Sequence, residues 1–316
     1  MKVRVGIVGL GWFGNVHLDQ LLEMNDVEVA ALATHNQEKL EKAHQKIPSA
    51  RIYLDYHEML ENEELDALYI CVIPSRHEDI ELLACQKGIA IYVEKPIGLE
   101  LKQVKYIEEK IIQSGIINSV GYQERYSKGI VRVKQWLLEE ELLLAQGTWI
   151  NQMPEVSWWR NEATSGGQVI EQTTHIYDIF RYLFGEFEVL SAKKKDGLNQ
   201  VEDYSVDDSS IALLQSDGIL VSIYSGCYLK DSPSEIGFTL YGRNSKLEYF
   251  WGEQLVITSK DKKEILDFKK DNHHFIASQN FIEAVKEKDQ SRIHSSYSDA
   301  RRTLELTMDV MNKINK

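Results

Sequence analysis

Cysteine, proline and long apolar runs are scarce in this sequence, and each scarcity excludes a class of protein. The 316 residues include three cysteines and five prolines. Cys71, Cys85 and Cys227 lie far apart in apolar surroundings, which suits buried, reduced thiols and not a disulfide framework or a zinc site. No Pro-rich tract or low-complexity stretch separates the parts of the chain, so any domain junction is expected to be compact. No window approaches the roughly 18 uninterrupted apolar residues of a membrane span. The N-terminal MKVRVGIVGLGWFGNVHL lacks the apolar core and small-residue cleavage site of a signal peptide, and it reads as a first strand. Basic residues are outnumbered, 36 Lys and Arg against 49 Asp and Glu, for a formal charge of -13. Such a surface repels a phosphate backbone. A cytoplasmic protein with neither a nucleic-acid nor a membrane partner is expected.

What is present is a globular composition, 43% hydrophobic and 27% charged, in a chain longer than one ordinary core fills. From Lys2 to Gly121, short apolar runs (3–8, 29–33, 67–72, 90–93, 117–121) alternate with amphipathic stretches at 16–24, 37–46, 77–87 and 101–114. That order predicts βαβ units on a doubly wound parallel sheet. A helix near 129–140 follows. Runs of period-2 alternation then begin at 144–151, 187–195, 209–215, 220–228, 235–241, 246–251 and 255–258, split by turns such as Ser216-Asp217-Gly218. The expected fold is therefore α/β. It comprises an N-terminal Rossmann domain at 1–121 and a C-terminal α+β domain at 122–316, with a large, mostly antiparallel, open-faced sheet. One long helix is predicted over 168–183, ending at Gly185, and two terminal helices over 275–288 and 298–313, the last able to pack back on the first domain.

The first chemical signal is Gly9-Leu10-Gly11-Trp12-Phe13-Gly14, a GxGxxG directly after the first strand and directly before a helix. Gly9 permits the tight turn, Gly11 lets backbone approach a pyrophosphate, and Gly14 lets helix and strand pack closely. This register predicts dinucleotide binding, with Trp12 and Phe13 beside the cofactor. The second strand ends in Ala33-Thr34-His35-Asn36, without the carboxylate that accepts from the ribose of NAD. Thr34 and Asn36 can hydrogen-bond a 2′-phosphate and His35 can pair with it, which tilts the expectation from NAD toward NADP. An ordinary polar turn tolerating either cofactor stays open.

Two further constellations stand out. Glu94-Lys95-Pro96 follows the strand at 90–93, at the carboxyl edge where open α/β sheets gather ligands. Lys95 there is a candidate proton carrier, and a plain surface lysine is the alternative. In Gly166-Gly167-Gln168-Val169-Ile170-Glu171-Gln172-Thr173-Thr174-His175-Ile176-Tyr177-Asp178, helical spacing would put Glu171, His175 and Asp178 on one face. A carboxylate beside an imidazole stabilises its protonated form and serves acid–base chemistry, whereas a solvated polar face is the plain alternative. No catalytic metal is expected, because the adjacent His273 and His274 cannot both face one ion.

Taken in order, these segments resemble the Gfo/Idh/MocA oxidoreductases, the family of glucose-fructose oxidoreductase and inositol 2-dehydrogenase. The resemblance runs over nearly the whole chain. It rests on GLGWFG with His17 after it, CVIPSRHEDI, YVEKPIG, VGYQERY, SWWRNEATSGGQVIEQTTHIYDIFRYLFGE and the terminal helix pair. It implies hydride transfer between a nicotinamide and a carbinol or carbonyl carbon of a sugar, inositol or related polyol, with Lys95 and His175 relaying the hydroxyl proton. It implies that Pro74, His77 and the Glu94 backbone line the cofactor, and that Glu171, Asp178, Tyr122, Arg125, Trp159 and Arg160 serve the substrate side. Many relatives carry Asp where Glu171 stands, which moves that charge. A homodimer or homotetramer through the open sheet face is implied as well. Two alternatives are a nicotinamide-dependent sensor, which has no need of a Lys/His relay, and an enzyme that retains its cofactor and acts by transient oxidation.

Overall fold

A computed structural model of the chain describes residues 2–315. Its contacts divide it into two units, residues up to Gly121 with His274–Arg301, and Tyr122–His273 with residues from Arg302 onward.

In the first unit the elements run β1 (Val3–Val8), α1 (Trp12–Leu22), β2 (Val27–Ala33), α2 (Gln37–Lys46), β3 (Arg51–Tyr53), α3 (Tyr56–Asn62), β4 (Ala67–Ile70), α4 (Ile80–Lys87), β5 (Ala90–Val93), α5 (Leu101–Ser114) and β6 (Asn118–Val120). The sheet order is β3-β2-β1-β4-β5-β6 and the described pairings are all parallel. Both faces are covered, so β4 and β5 are buried at every position and read as continuous apolar runs rather than alternating ones. The core gathers Val5, Ile7, Leu18, Leu32, Tyr69 and Tyr92, with Phe281 and Ile282 from the later segment. Helix ends follow local chemistry. Asn36 caps α2 by accepting from the Lys39 N–H, and α4 and α5 stop at left-handed Gly88 and Gly115.

The second unit holds α6 (Lys128–Glu139), β7 (Leu142–Gln152), α7 (Glu162–Ser165), α8 (Gly167–Glu171), α9 (Thr174–Phe184), β8 (Glu188–Lys195), β9 (Ser209–Ser216), β10 (Ile219–Leu229), β11 (Glu235–Gly242), β12 (Ser245–Phe250), β13 (Gln254–Ser259) and β14 (Lys263–Asp267). After them in the chain come α10 (His273–Glu287), which from His274 on belongs to the first unit, and α11 (Tyr297–Ile314), which belongs to the second from Arg302 on. The eight strands form one sheet, β14-β13-β12-β11-β7-β10-β9-β8. It is antiparallel except where β10 runs parallel to β7. On β7, Gly147 faces α9 so closely that a Cβ there would strike Ile176 and Phe180. The other face carries Ile211 and Leu213 of β9, Leu220 and Tyr224 of β10, and Leu144 of β7, exposed or half-buried.

Two expectations need correction. The single helix predicted over 168–183 is two helices, α8 and α9. The Thr173 N–H bonds the Gln168 carbonyl five residues back (2.9 Å), and the Gln172 N–H bonds the same oxygen (3.1 Å). This widened turn interrupts the 3.6-residue ladder. Strands β3 and β14, with helix α3, were not expected from the sequence. Both strands lie at sheet edges, and β3 is three residues long with two of them exposed.

Candidate active site

On the first unit, the Gly-rich turn is built by exclusion. The Gly9 N–H bonds the Ala33 carbonyl (2.9 Å) and the Cys71 N–H bonds the Val8 carbonyl (2.8 Å), tying the turn to the ends of β2 and β4. Gly9 has φ +91°, and a Cβ there would run into the Cys71 carbonyl. A Cβ at Gly14 would fall on the Gly9 carbonyl oxygen, while one at Gly11 would meet only open space. Two glycines thus close the turn and the third leaves backbone bare, which is how a pyrophosphate cradle works. The N-terminus of α1 has no side-chain cap and no acid in its first turn, an arrangement suited to an anion. Trp12 stands 75% exposed at its start, edge-on to Phe13 at 4.6 Å.

Beside the turn is a pocket lined by Val8, Gly9, Thr34, His35, Tyr56 and Arg76, among others. Thr34 and His35 are brought there as the sequence predicts. Asn36 instead spends its carboxamide oxygen on capping α2. Arg76 and Tyr56 escaped the sequence reading, because nothing local announces that the loop after β4 and the start of α3 converge on the end of β2. Buried Pro74 opens a 3-10 turn, and His77 pairs through Nδ1 with Glu81 (2.6 Å), both buried. The His77 Nε2 is buried without a hydrogen-bond partner among the described residues.

Glu94 and Lys95 follow β5. The Glu94 N–H bonds the Ile70 carbonyl (2.8 Å), and its carboxylate takes the His17 Nε2 at 2.7 Å. A Cβ on Gly121 would collide with that carboxylate. His17 is itself buried against Tyr69 and Tyr92, with Nδ1 3.3 Å from the Ser278 hydroxyl. The residue before Lys95 is therefore held from three sides. Lys95 is half-buried and joined to Pro96 by a cis peptide.

On the second unit, His175 lies on the first turn of α9 in an aromatic box. Trp149 stacks on it (centroids 5.1 Å, planes 17°), with Trp251 at 5.7 Å and Tyr122 edge-on at 5.9 Å. Trp149 and Trp251 were missed because a strand aromatic reads as packing. The helix break separates Glu171, at the end of α8, from His175 and Asp178, which stay three residues apart on α9. Glu171 accepts from the Nε1 of buried Trp159 (2.8 Å). Asp178 takes a two-pronged ion pair from Arg125 (Nε 2.7 Å, Nη2 2.5 Å) and a hydrogen bond from Thr303 (2.9 Å). Tyr122 is 2.8 Å, hydroxyl to hydroxyl, from Thr174. Arg160 is half-buried and lines an open pocket with Trp158, Asn161, Tyr204 and Ser205.

Among the described residues no group of three or more His, Cys, Asp or Glu is placed to hold a metal ion, and no helix is long and apolar enough to cross a membrane. The three cysteines are free, and burial pushes the Cys227 thiol up to about 12.

Comparison with known proteins follows the same division. The model described as "Oxidoreductase family, NAD-binding Rossmann fold" matches residues 3–122, and that of the "GFO/IDH/MocA C-terminal domain" matches 140–248. The chain is 25% identical over 189 residues to the myo-inositol 2-dehydrogenase of Thermotoga maritima, covering 58% of this chain and 55% of that one. It is 28% identical over 189 residues to the scyllo-inositol 2-dehydrogenase (NAD(+)) of Bacillus subtilis, covering 58% and 54%. The matched stretch thus spans about half the length of these curated relatives. In fold the chain is similar to levoglucosan dehydrogenase in complex with NADH and levoglucosan (TM-score 0.87, 16% identity, 100% and 98% of the two chains). A 3-ketoreductase from Actinomadura kijaniata in complex with NADP and TDP-benzene is as similar (0.87, 17%, 99% and 98%). With both of its domain models matched in order along the sequence, the chain belongs to the Gfo/Idh/MocA oxidoreductase family.

Proposed function

We propose that this protein is an NAD(P)-dependent dehydrogenase or reductase acting on a carbinol or carbonyl carbon of a sugar, inositol or related polyol. The observation that carries the reading is the glycine cradle, closed at Gly9 and Gly14 and bare at Gly11, in a chain that also carries Lys95 directly after β5. The cradle fits a dinucleotide, with Thr34, His35, Pro74, His77 and the Glu94 backbone along it and Trp12 and Phe13 at its rim. When bound, the nicotinamide supplies the hydride acceptor or donor.

The protein's own groups manage the proton. Lys95 Nζ and a ring nitrogen of His175 take the hydroxyl proton as the alcohol is oxidised and return it in the reverse direction. The His17–Glu94 pair holds the backbone from which Lys95 springs, and the box of Trp149, Trp251 and Tyr122 holds the imidazole. Glu171, Trp159, Arg160 and Tyr122 serve the substrate side, and Arg125 with Asp178 anchors α9 beneath His175. The missing acid after β2 favours NADP over NAD. A dimer or tetramer through the open face of the eight-stranded sheet, around Ile211, Leu213, Leu220 and Tyr224, fits its exposed apolar rows. Cytoplasmic residence fits three unpaired cysteines.

Turnover is sought by nicotinamide absorbance against a panel of sugars, inositols and their keto forms. On the best panel member, Lys95→Ala and His175→Ala are each expected to lower kcat by about 10²–10⁴-fold. Wild-type turnover in both variants would refute the relay, and failure to bind either nicotinamide dinucleotide would refute the function itself.

A further inference from the structure

We propose that Arg76 is the cofactor-selecting residue of this protein, its guanidinium reading the 2′-phosphate of NADP. The inference rests on the dinucleotide-binding function and NADP preference proposed above. In the sheet order β3-β2-β1-β4, the loops after β2 and β4 flank the glycine turn that follows β1. The loop after β2 supplies Thr34 and His35 to the pocket beside that turn, and the loop after β4 supplies Arg76 and Glu78. The pocket therefore draws its fixed cation from β4 and none from β2, the strand whose end usually decides between the two cofactors.

The backbone that carries Arg76 is set. Pro74 begins the 3-10 turn, and the Arg76 N–H bonds the Ile73 carbonyl (2.9 Å). The guanidinium is not consumed. Its side chain is 65% exposed and its ion pair is a loose one, Nη1 to Glu78 Oε1 at 3.8 Å, beyond hydrogen-bond range. A planar fork of donors in that state suits a phosphate, which it can take in two parallel hydrogen bonds.

Glu78 is the competing charge, since a carboxylate in this pocket would instead accept a ribose hydroxyl and favour NAD. One observation weighs against that role: Arg76 is the cation beside Glu78 Oε1 (3.8 Å). The Tyr56 hydroxyl lies 3.2 Å from Oε2 but donates more closely to Asp79 Oδ1 (2.6 Å). A phosphate dianion arriving between Arg76, Thr34 and His35 draws the guanidinium from its loose pairing with Glu78.

The test titrates the full chain with NADPH and with NADH by tryptophan fluorescence, for the wild type and Arg76→Gln. The wild type is expected to bind NADPH more tightly. Arg76→Gln is expected to weaken NADPH about tenfold to a hundredfold and to change NADH less than about twofold, the loss of a charge-assisted hydrogen bond to one group only. The retained NADH affinity also reports that the variant is folded. An unchanged NADPH:NADH ratio in the variant overturns the assignment while a wild-type NADPH preference still stands. Equal weakening of both cofactors also overturns it, and places Arg76 on the adenosine they share. A wild type that prefers NADH overturns the NADP reading and this inference together.

Discussion

Arg125 and Asp178 form an ion pair whose side chains are 3% and 1% exposed, so removing one partner strands the other in a low-dielectric interior. In Arg125→Met the Asp178 carboxylate loses a two-pronged donor and keeps the Thr303 hydroxyl. Breaking a buried pair in this way costs about 3–5 kcal/mol. For a unit of this size each kcal/mol moves the Tm by about 2–4 °C, so a drop of about 6–20 °C is expected. The same principle makes the companion variant informative. Arg125→Met with Asp178→Leu removes both charges and leaves apolar volume, and it is expected to recover most of the loss. The assay is urea and thermal unfolding of the wild type, both single variants and the double variant, read as a double-mutant cycle. A coupling of about 2 kcal/mol or more identifies a pair that anchors α9. If Arg125→Met costs less than about 1 kcal/mol, or if the two losses simply add, the anchoring argument fails and Asp178 reverts to the substrate contact that the family resemblance implies.

Two other predictions follow from the same kind of geometry. Gly11→Ala points its methyl into open space and Gly14→Ala points its methyl at the Gly9 carbonyl. The first is expected to keep the Tm and lose NADPH binding, and the second to lose about 1–3 kcal/mol of stability; equal stability of the two by thermal unfolding would contradict this. Asp207 is buried with its Oδ2 unpartnered among the described residues, and burial pushes its carboxyl from 3.8 up to about 6. A folded value above the unfolded one favours the protonated form, so its contribution is full below about pH 4 and lost as the pH rises through about 6. The shift of about two units is worth about 3 kcal/mol. Asp207→Asn should therefore match the wild type near pH 4 and exceed it by up to about 3 kcal/mol near pH 8. A difference that does not vary with pH rules this out.

Where the sequence was legible, the signal lay within a few residues of what it described. β1, α2, β5 and α5 begin and end where their apolar periodicity does, and the glycine turn is readable from its place between β1 and α1, although the group that Gly9 makes room for, the Cys71 carbonyl, lies far along the chain. β3 and α3 carry no such signal. Arg51–Tyr53 borrows its strand geometry from hydrogen bonds to β2, and α3 is seven residues started by the Asp55 cap. The parallel contact of β10 with β7 was equally hidden, since it depends on which strands meet and not on how each alternates.

The site divides along the same line. Lys95 and His175 stand out in the sequence because each sits in a motif, yet the groups packed around His175 and behind Glu94 come from elsewhere in the chain. His17 reaches Glu94 across 77 residues, and Trp149 stacks on His175 of α9 from strand β7. Asp178 shows what this costs a reading by spacing alone. Its distance of three residues from His175 argued for a shared face, and it does lie on the same helix, α9. A buried carboxylate, however, goes to the donor that best offsets its desolvation. Here that donor is the forked guanidinium of Arg125, 53 residues away, so the spacing locates the carboxylate and its partner decides what it does.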